Sequence, residues 1–109
     1  MSEKRIDQLQ QFLDESPNDS FLKFAIAKEH EKMKVYDKAL KFYLDIYENE
    51  PEYIGLYYHL GKLYEIINRR QLALNIYLQG IELGKKKGDF HSVSELNNAK
   101  MNLELELDN

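Results

Sequence analysis

The chain repeats itself at a fixed interval, and this feature constrains its fold more than any other. When residues 20–53 are aligned with residues 54–87, eight positions carry the same residue: Leu22/Leu56, Lys28/Lys62, Glu31/Glu65, Ala39/Ala73, Leu40/Leu74, Tyr43/Tyr77, Leu44/Leu78 and Glu48/Glu82. Unrelated segments of this length would share about two residues by chance. A chain with such a period is expected to fold from copies of one supersecondary unit, each of which packs on its neighbours.

Each copy has the pattern of two helices. In the second copy, apolar residues follow the three-and-four spacing of one helical face, at Leu56, Leu60, Leu63, Tyr64 and Ile67. Asn68 then interrupts the pattern, and asparagine tolerates the left-handed conformation that ends a helix. A second stripe follows at Leu72, Ala73, Ile76, Tyr77, Gly80 and Ile81. The small residues at Gly61 and Ala73 would let the two helices approach closely.

Further helices are predicted on both sides of the repeats. Residues 3–16 read as the second helix of an incomplete leading repeat, because Pro17 precedes Pro51 by the interval that separates the two copies. At the other end, Gly88 and Asp89 supply a helix breaker and an N-cap. The final helix, at 89–107, carries an apolar stripe at Val93, Leu96, Ala99 and Leu103 and would cap the array.

These segments predict an all-α fold, an antiparallel helix-pair solenoid of about six helices. We expect a single domain over residues 1–109. Its parts are the leading helix at 3–16, a first repeat at 20–53, a second repeat at 54–87 and the capping helix at 89–107.

Composition excludes several classes of function. The net charge of −4 argues against nucleic acid, which is bound by clustered lysine and arginine, and against an anionic membrane surface. The chain has no cysteine, which removes disulfides and thiolate metal sites. No secretory signal is visible, and no apolar run approaches the roughly 20 residues that span a bilayer. We therefore expect a cytoplasmic protein.

No motif predicts catalysis or a cofactor. His30, His59 and His91 are too dispersed to form a chelating pair at helical spacing, so we expect no metal site. Neither a serine–histidine–aspartate spacing nor a glycine-rich phosphate loop is present. The basic run at 85–87 lies where a helix is expected to end, a position at which it would complement the helix dipole. The sequence thus predicts a protein that is not an enzyme.

The repeat resembles the tetratricopeptide repeat family. That family's pattern is an aromatic residue, a Leu-Gly pair, a tyrosine, an alanine, an aromatic residue, a small residue and a proline. The second copy matches it with Tyr57, Leu60, Gly61, Tyr64, Ala73, Tyr77 and Gly80. The first copy departs from the pattern at Lys23, His30 and Ile46. Together the two copies cover residues 20–87, the larger part of the chain.

The resemblance implies a site for a protein partner. In this family the first helix of each pair lines a concave groove where extended peptides dock. The corresponding residues here are Phe21, Phe24, Lys28, Glu31, Tyr58, His59, Lys62 and Glu65. An aromatic ring beside an ammonium group can hold an apolar side chain and a carboxylate of a peptide. Alternatively, Phe21 and Phe24 pack on the N-terminal helix and Lys28 pairs with Glu31.

The sequence favours two alternative functions. The first is a protein-interaction module that binds a peptide or a helix of a partner in the groove. The second is structural self-association into a homo-oligomer through the exposed ends of the array, suggested by Leu103, Leu105 and Leu107, which cannot all share one helical face.

Overall fold

The computed structural model describes residues 2–108, and within this range it contains six helices and no strand. The helices are α1 (Ser2–Glu15), α2 (Ser20–Lys32), α3 (Tyr36–Asn49), α4 (Gly55–Ile66), α5 (Arg70–Lys87) and α6 (Phe90–Asp108). The predicted all-α helical-repeat fold is therefore confirmed. The chain forms two compact units, of which the first ends at Tyr53 and the second begins at Ile54.

The first unit is held together by apolar side chains on both faces of α2. Helix α2 packs against α1 and against α3. Leu9 and Leu13 of α1 meet Ile26 of α2 in one buried cluster. Ala27 of α2 and Ala39 of α3 are completely buried, so the small residues lie inside the unit as their pattern predicts.

In the second unit, α5 packs against both α4 and α6, and α4 also contacts α6. At Gly80, side chains of both neighbouring helices lie close to the α5 backbone. A Cβ atom on Gly80 would lie 2.6 Å from the Tyr57 Cβ of α4 and 2.9 Å from the Leu96 Cδ1 of α6. On α6, Leu96, Ala99 and Leu103 are buried and Val93 is partly buried, so the predicted stripe faces the core.

The first helix of each repeat ends in the same way. Lys34 and Asn68, which occupy equivalent positions in the two repeats, have positive φ angles of 61° and 63°. The left-handed residue turns the chain, so the next backbone N–H reaches back into the helix: Val35 N–H donates to the His30 carbonyl. Arg69 N–H donates to the Tyr64 carbonyl in the same manner. The predicted helix stop at Asn68 is confirmed, and the repeat extends to backbone geometry.

The second helices of the two repeats differ in length. Helix α3 has 14 residues and ends before Pro51, whereas α5 has 18 residues and runs to Gly88, which has a φ of 70°. Asp89 then begins α6, because its carboxylate accepts hydrogen bonds from the Ser92 N–H at 3.1 Å and from the Ser92 hydroxyl at 2.8 Å. These bonds lower the pKa of Asp89. Both predicted roles, breaker and N-cap, are confirmed.

Among residues 2–108, no helix is both long enough and apolar enough to cross a membrane.

Candidate functional site

Three of the groove residues predicted on α2, namely Phe24, Lys28 and Glu31, form with Tyr43 of α3 a compact group that we call the Lys28 cluster. The Lys28 Nζ atom lies over the Phe24 ring, 5.7 Å from its centroid. The Phe24 ring also contacts the ring of Tyr43 on α3, at a centroid distance of 5.9 Å. The Tyr43 hydroxyl donates a hydrogen bond of 2.5 Å to Glu31 Oε1. The cluster therefore connects the two helices of the first repeat.

The second unit contains the same arrangement, which we call the Lys62 cluster: Tyr58, Lys62, Glu65 and Tyr77. The Lys62 Nζ atom again lies 5.7 Å from an aromatic centroid, that of Tyr58. The Tyr77 hydroxyl donates a hydrogen bond to Glu65 Oε2. Lys62 Nζ also lies 3.9 Å from the same carboxylate oxygen. Each of the four positions is equivalent to its counterpart in the first repeat, so the repeat conserves a set of contacts as well as a helical pattern.

Burial divides each cluster into an inner and an outer half. Tyr43 and Tyr77 are completely buried. Glu31 and Glu65 are partly buried beside them, and the Glu65 side chain is only 20% exposed. In contrast, Lys28 is exposed, and the Lys62 side chain is 40% exposed. The ammonium groups are thus available to a partner, whereas the glutamates are occupied in joining two helices.

The buried tyrosines are held as neutral hydrogen-bond donors. Burial, reinforced by the hydrogen bond to Glu31, raises the pKa of Tyr43 far above its ordinary value. Burial and the bond to Glu65 raise the pKa of Tyr77 in the same way. A phenol that does not ionise keeps its proton for the carboxylate, so both bonds persist throughout the neutral pH range.

The remaining predicted residues lie beside these clusters. The Phe21 side chain is 64% exposed and lines an open hollow of about 240 Å³ with Phe24 and Lys28. Phe24 itself packs against Tyr43 and Tyr53, so its ring is partly a structural element of the first unit. His59 meets the Tyr58 ring edge-on at 5.5 Å.

Sequence reasoning missed two buried charged side chains on α2. Lys23 is 5% exposed, and its ammonium lies 3.3 Å from the Asp45 carboxylate. Glu29 is 4% exposed and pairs with Arg5 at 3.4 Å and Lys32 at 3.0 Å. One signal was available for Lys23, which replaces the apolar ring of Tyr57 in the repeat. A charged residue on that inner face requires a charged partner on the facing helix.

Solved structures identify the family. A tetratricopeptide repeat domain protein from Salinibacter ruber, determined by NMR in solution, is 42% identical to the chain. The match covers 81% of this chain and 89% of that one, with a TM-score of 0.77. The chain belongs to the tetratricopeptide repeat family. A crystal structure of a Salinibacter ruber tetratricopeptide repeat domain protein agrees, at 42% identity, with 79% and 97% of the two chains covered and a TM-score of 0.75.

More distant solved structures share the fold at low sequence identity. The TPR2B domain of yeast Sti1, in complex with pHsp70, is 11% identical, with 96% of this chain and 84% of that one covered and a TM-score of 0.88. The type III secretion translocator chaperone SycD of Yersinia enterocolitica is 15% identical, with 99% and 75% covered and a TM-score of 0.88. No family model and no curated protein matches the sequence.

The first tetratricopeptide repeat carries an unusual core histidine. His30 stands where the second repeat has Tyr64, and it is only 9% exposed. Its ring stacks on Phe42 at a centroid distance of 6.0 Å. The Nδ1 atom has no hydrogen-bond partner among residues 2–108. Burial, and then the charge of Lys38, lowers the pKa of His30, while Asp37 acts in the opposite direction.

This histidine makes the stability of the tetratricopeptide repeat protein depend on pH. Because the folded-state pKa is lowered, the unfolded chain binds a proton at His30 in a pH range where the folded chain does not. The contribution of His30 to the free energy of unfolding is therefore fully present above about pH 6.5, the ordinary histidine value, and is lost as the pH falls from there to the folded-state pKa. We expect His30→Tyr to remove this part of the pH dependence in urea unfolding measured at a series of pH values.

A matched control is His91→Gln, because the His91 side chain is 88% exposed. This variant should retain the wild-type dependence on pH. An unchanged slope in His30→Tyr would show that another group is responsible.

Within residues 2–108 of the tetratricopeptide repeat protein, no three side chains of His, Asp or Glu lie together in a way that could hold a metal ion.

Proposed function

We propose that this tetratricopeptide repeat protein is an interaction module that binds a peptide or a helix of another protein through the Lys28 cluster and the Lys62 cluster. The observation that carries the proposal is the repeated pair of a lysine and an aromatic ring, with the same 5.7 Å separation on α2 and on α4. The family resemblance implies that a partner docks on these helices. The proposal includes no catalytic step.

The chemistry of each cluster suits a protein partner. The rings of Phe24 and Tyr58 are half-buried, so each presents part of an apolar surface that is already held in place. The adjacent ammonium groups of Lys28 and Lys62 can bind carboxylates, either of acidic side chains or of a chain terminus. Glu31 and Glu65 accept hydrogen bonds from buried tyrosines, so the clusters are preorganised in the free protein. Preorganisation lowers the entropic cost of binding.

The fold is consistent with this proposal. The Sti1 domain of the same fold was solved in complex with pHsp70, and SycD is named as a translocator chaperone. At 11% and 15% identity, these two structures do not identify a partner for this chain. They support only the general proposal that it binds protein. A cytoplasmic location and a lack of nucleic-acid binding stay predictions from the sequence.

Capture of partners by immobilised protein tests the proposal. The test variant is Lys28→Glu/Lys62→Glu, which reverses one exposed charge in each cluster. The matched control is Lys41→Glu/Lys86→Glu, which reverses one exposed lysine in each unit outside the clusters. We expect a partner from a lysate of the source organism to be retained by the wild type and the control and lost by the test variant. Equal capture by all three would contradict the proposal.

A second candidate function, self-association, is favoured by exposed apolar side chains on α5 and α6. Leu72 is 48% exposed, Met101 56% and Leu105 62%. Such side chains are common singly on protein surfaces, but a group of them marks a contact site. A monomeric mass in light scattering at high protein concentration would remove this candidate.

A further inference from the structure

An open hollow of about 640 Å³ lies between α5 and α6 of the second unit. Its apolar lining comes from Leu74, Met101, Leu105 and Leu107, and its acidic lining from Glu104 and Asp108. Three of the four apolar side chains are exposed: Met101 by 56%, Leu105 by 62% and Leu107 by 37%. Water therefore covers a concave apolar surface that has no partner within the described part of the second unit.

A basic surface adjoins this hollow. A smaller depression at the start of α5 is lined by Arg69, Arg70 and Leu72, and it shares Gln71 with the larger hollow. Within residues 2–108, neither arginine takes part in an ion pair, and neither does Asp108. Glu104 pairs with Lys100 of its own helix, at 3.1 Å. The second unit thus places two unpaired arginines in a depression beside the apolar hollow, and the unpaired carboxylate of Asp108 in the hollow itself.

We propose that a second copy of this chain covers this face, which we call the α5–α6 face, and that the two copies are related by a two-fold axis. A two-fold interface brings the same surface of both copies together, so the surface must complement itself. The α5–α6 face does so, because its arginines can meet the acidic residues of the other copy while the apolar hollows cover one another.

Charge complementarity is the reason to choose a second copy over another protein. A surface that carried only acidic groups would favour a basic partner. Here Glu104 and Asp108 line the apolar hollow, and Arg69 and Arg70 line the adjoining depression that shares Gln71 with it. Closely spaced charges of opposite sign fix the register of such a contact and exclude partners of a single sign.

This inference deepens the second candidate function, self-association, and rests on it. It is independent of partner binding by the Lys28 cluster and the Lys62 cluster. The two surfaces can therefore be tested separately, and a dimer would present two copies of each cluster to a partner.

Sedimentation at increasing concentrations of the full chain tests the inference. We expect a monomer–dimer equilibrium in the wild type. Leu105→Glu adds a carboxylate to the apolar centre without disturbing the core, so we expect the dissociation constant of the dimer to rise at least ~100-fold. The matched control is Phe90→Glu on the same helix, where the side chain is 70% exposed and outside the hollow. Circular dichroism shows whether each variant keeps its helix content.

Charge exchange gives a second measurement. Reversing Arg69 and Arg70 to glutamate should weaken the dimer, as should reversing Glu104 and Asp108 to arginine. Combining all four reversals in one chain should restore a dimer, because the surface complements itself again. The same chain should not pair with the wild type, since like charges would then meet.

Several outcomes overturn the inference. A monomer at every concentration removes self-association altogether. A dimer that Leu105→Glu leaves intact shows that copies associate through another surface, so the assignment of the α5–α6 face fails while self-association stands. Masses that grow beyond the dimer contradict a closed two-fold contact.

Discussion

Replacing Tyr77 with alanine is expected to lower the free energy of unfolding by about 3–5 kcal/mol, the range for loss of a large aromatic side chain from a core. The Tyr77 side chain is completely buried, and its hydroxyl is bonded to Glu65 of α4. The substitution leaves a cavity between α4 and α5 and also leaves a partly buried carboxylate without its donor. Urea unfolding followed by circular dichroism measures this change.

The same ring determines the sign of the effect expected for an alanine at Gly61. An alanine Cβ at this position would lie 2.2 Å from the Tyr77 Cε1 atom, and the buried ring cannot withdraw. Alanine gains up to about 1 kcal/mol over glycine in a helix interior, but overpacking costs about 1–3 kcal/mol, so Gly61→Ala alone should destabilise the protein. In the Tyr77→Ala background the clash is absent, and the same substitution should become neutral or stabilising.

The control for this cycle is Leu78→Ala on α5. Leu78 follows Tyr77 and is 45% exposed, so its removal should change the free energy of unfolding by only about 0.5 kcal/mol. Additive effects of Gly61→Ala and Tyr77→Ala would contradict the direct contact on which this prediction depends.

Removing the ammonium groups of both clusters is expected to weaken partner binding by roughly 100-fold. A hydrogen-bonded ion pair at a partly desolvated site contributes about 1.5 kcal/mol or more, which is close to tenfold in affinity for each lysine. Lys28→Met/Lys62→Met keeps an unbranched side chain over each ring and removes only the charge. Isothermal titration with the captured partner measures the change.

The single variants should each show about a tenfold effect if both clusters bind the partner, since tenfold corresponds to about 1.4 kcal/mol. Lys41→Met/Lys86→Met serves as the control, because both lysines are exposed and lie outside the clusters. Binding that depends on neither lysine, or equally on the control pair, would show that the partner contacts another surface.

The fold could be predicted from the sequence because the repeat shows which positions face the interior. The identity of Ala39 with Ala73 and of Tyr43 with Tyr77 indicated the contacts between paired helices, and both pairs are buried. The positive φ angle at Asn68 could be predicted from its residue type. Its counterpart Lys34 carries no such signal, and the position could be recognised only through the period of the repeat.

The candidate site was less accessible to sequence reasoning. The period marked Glu31 and Glu65 as repeated, but repetition does not separate a residue that binds a partner from one that braces two helices. That distinction depends on where the hydroxyls of Tyr43 and Tyr77 point, which the fold alone determines. The sequence also did not predict a role for Arg69 and Arg70. Their position beside the hollow between α5 and α6 follows from packing in the second unit.

The most direct test of partner binding by the repeats is to map the contact on isotopically labelled protein by NMR. The captured partner, or a peptide from it, is added stepwise, and shifts are followed in the backbone amides and the aromatic side chains. The account predicts the largest changes at Phe24, Lys28, Tyr58 and Lys62, with little change at Lys41 and Lys86. Changes confined to α1, α3, α5 and α6 would contradict it, because the partner would then contact helices that carry neither lysine–aromatic pair.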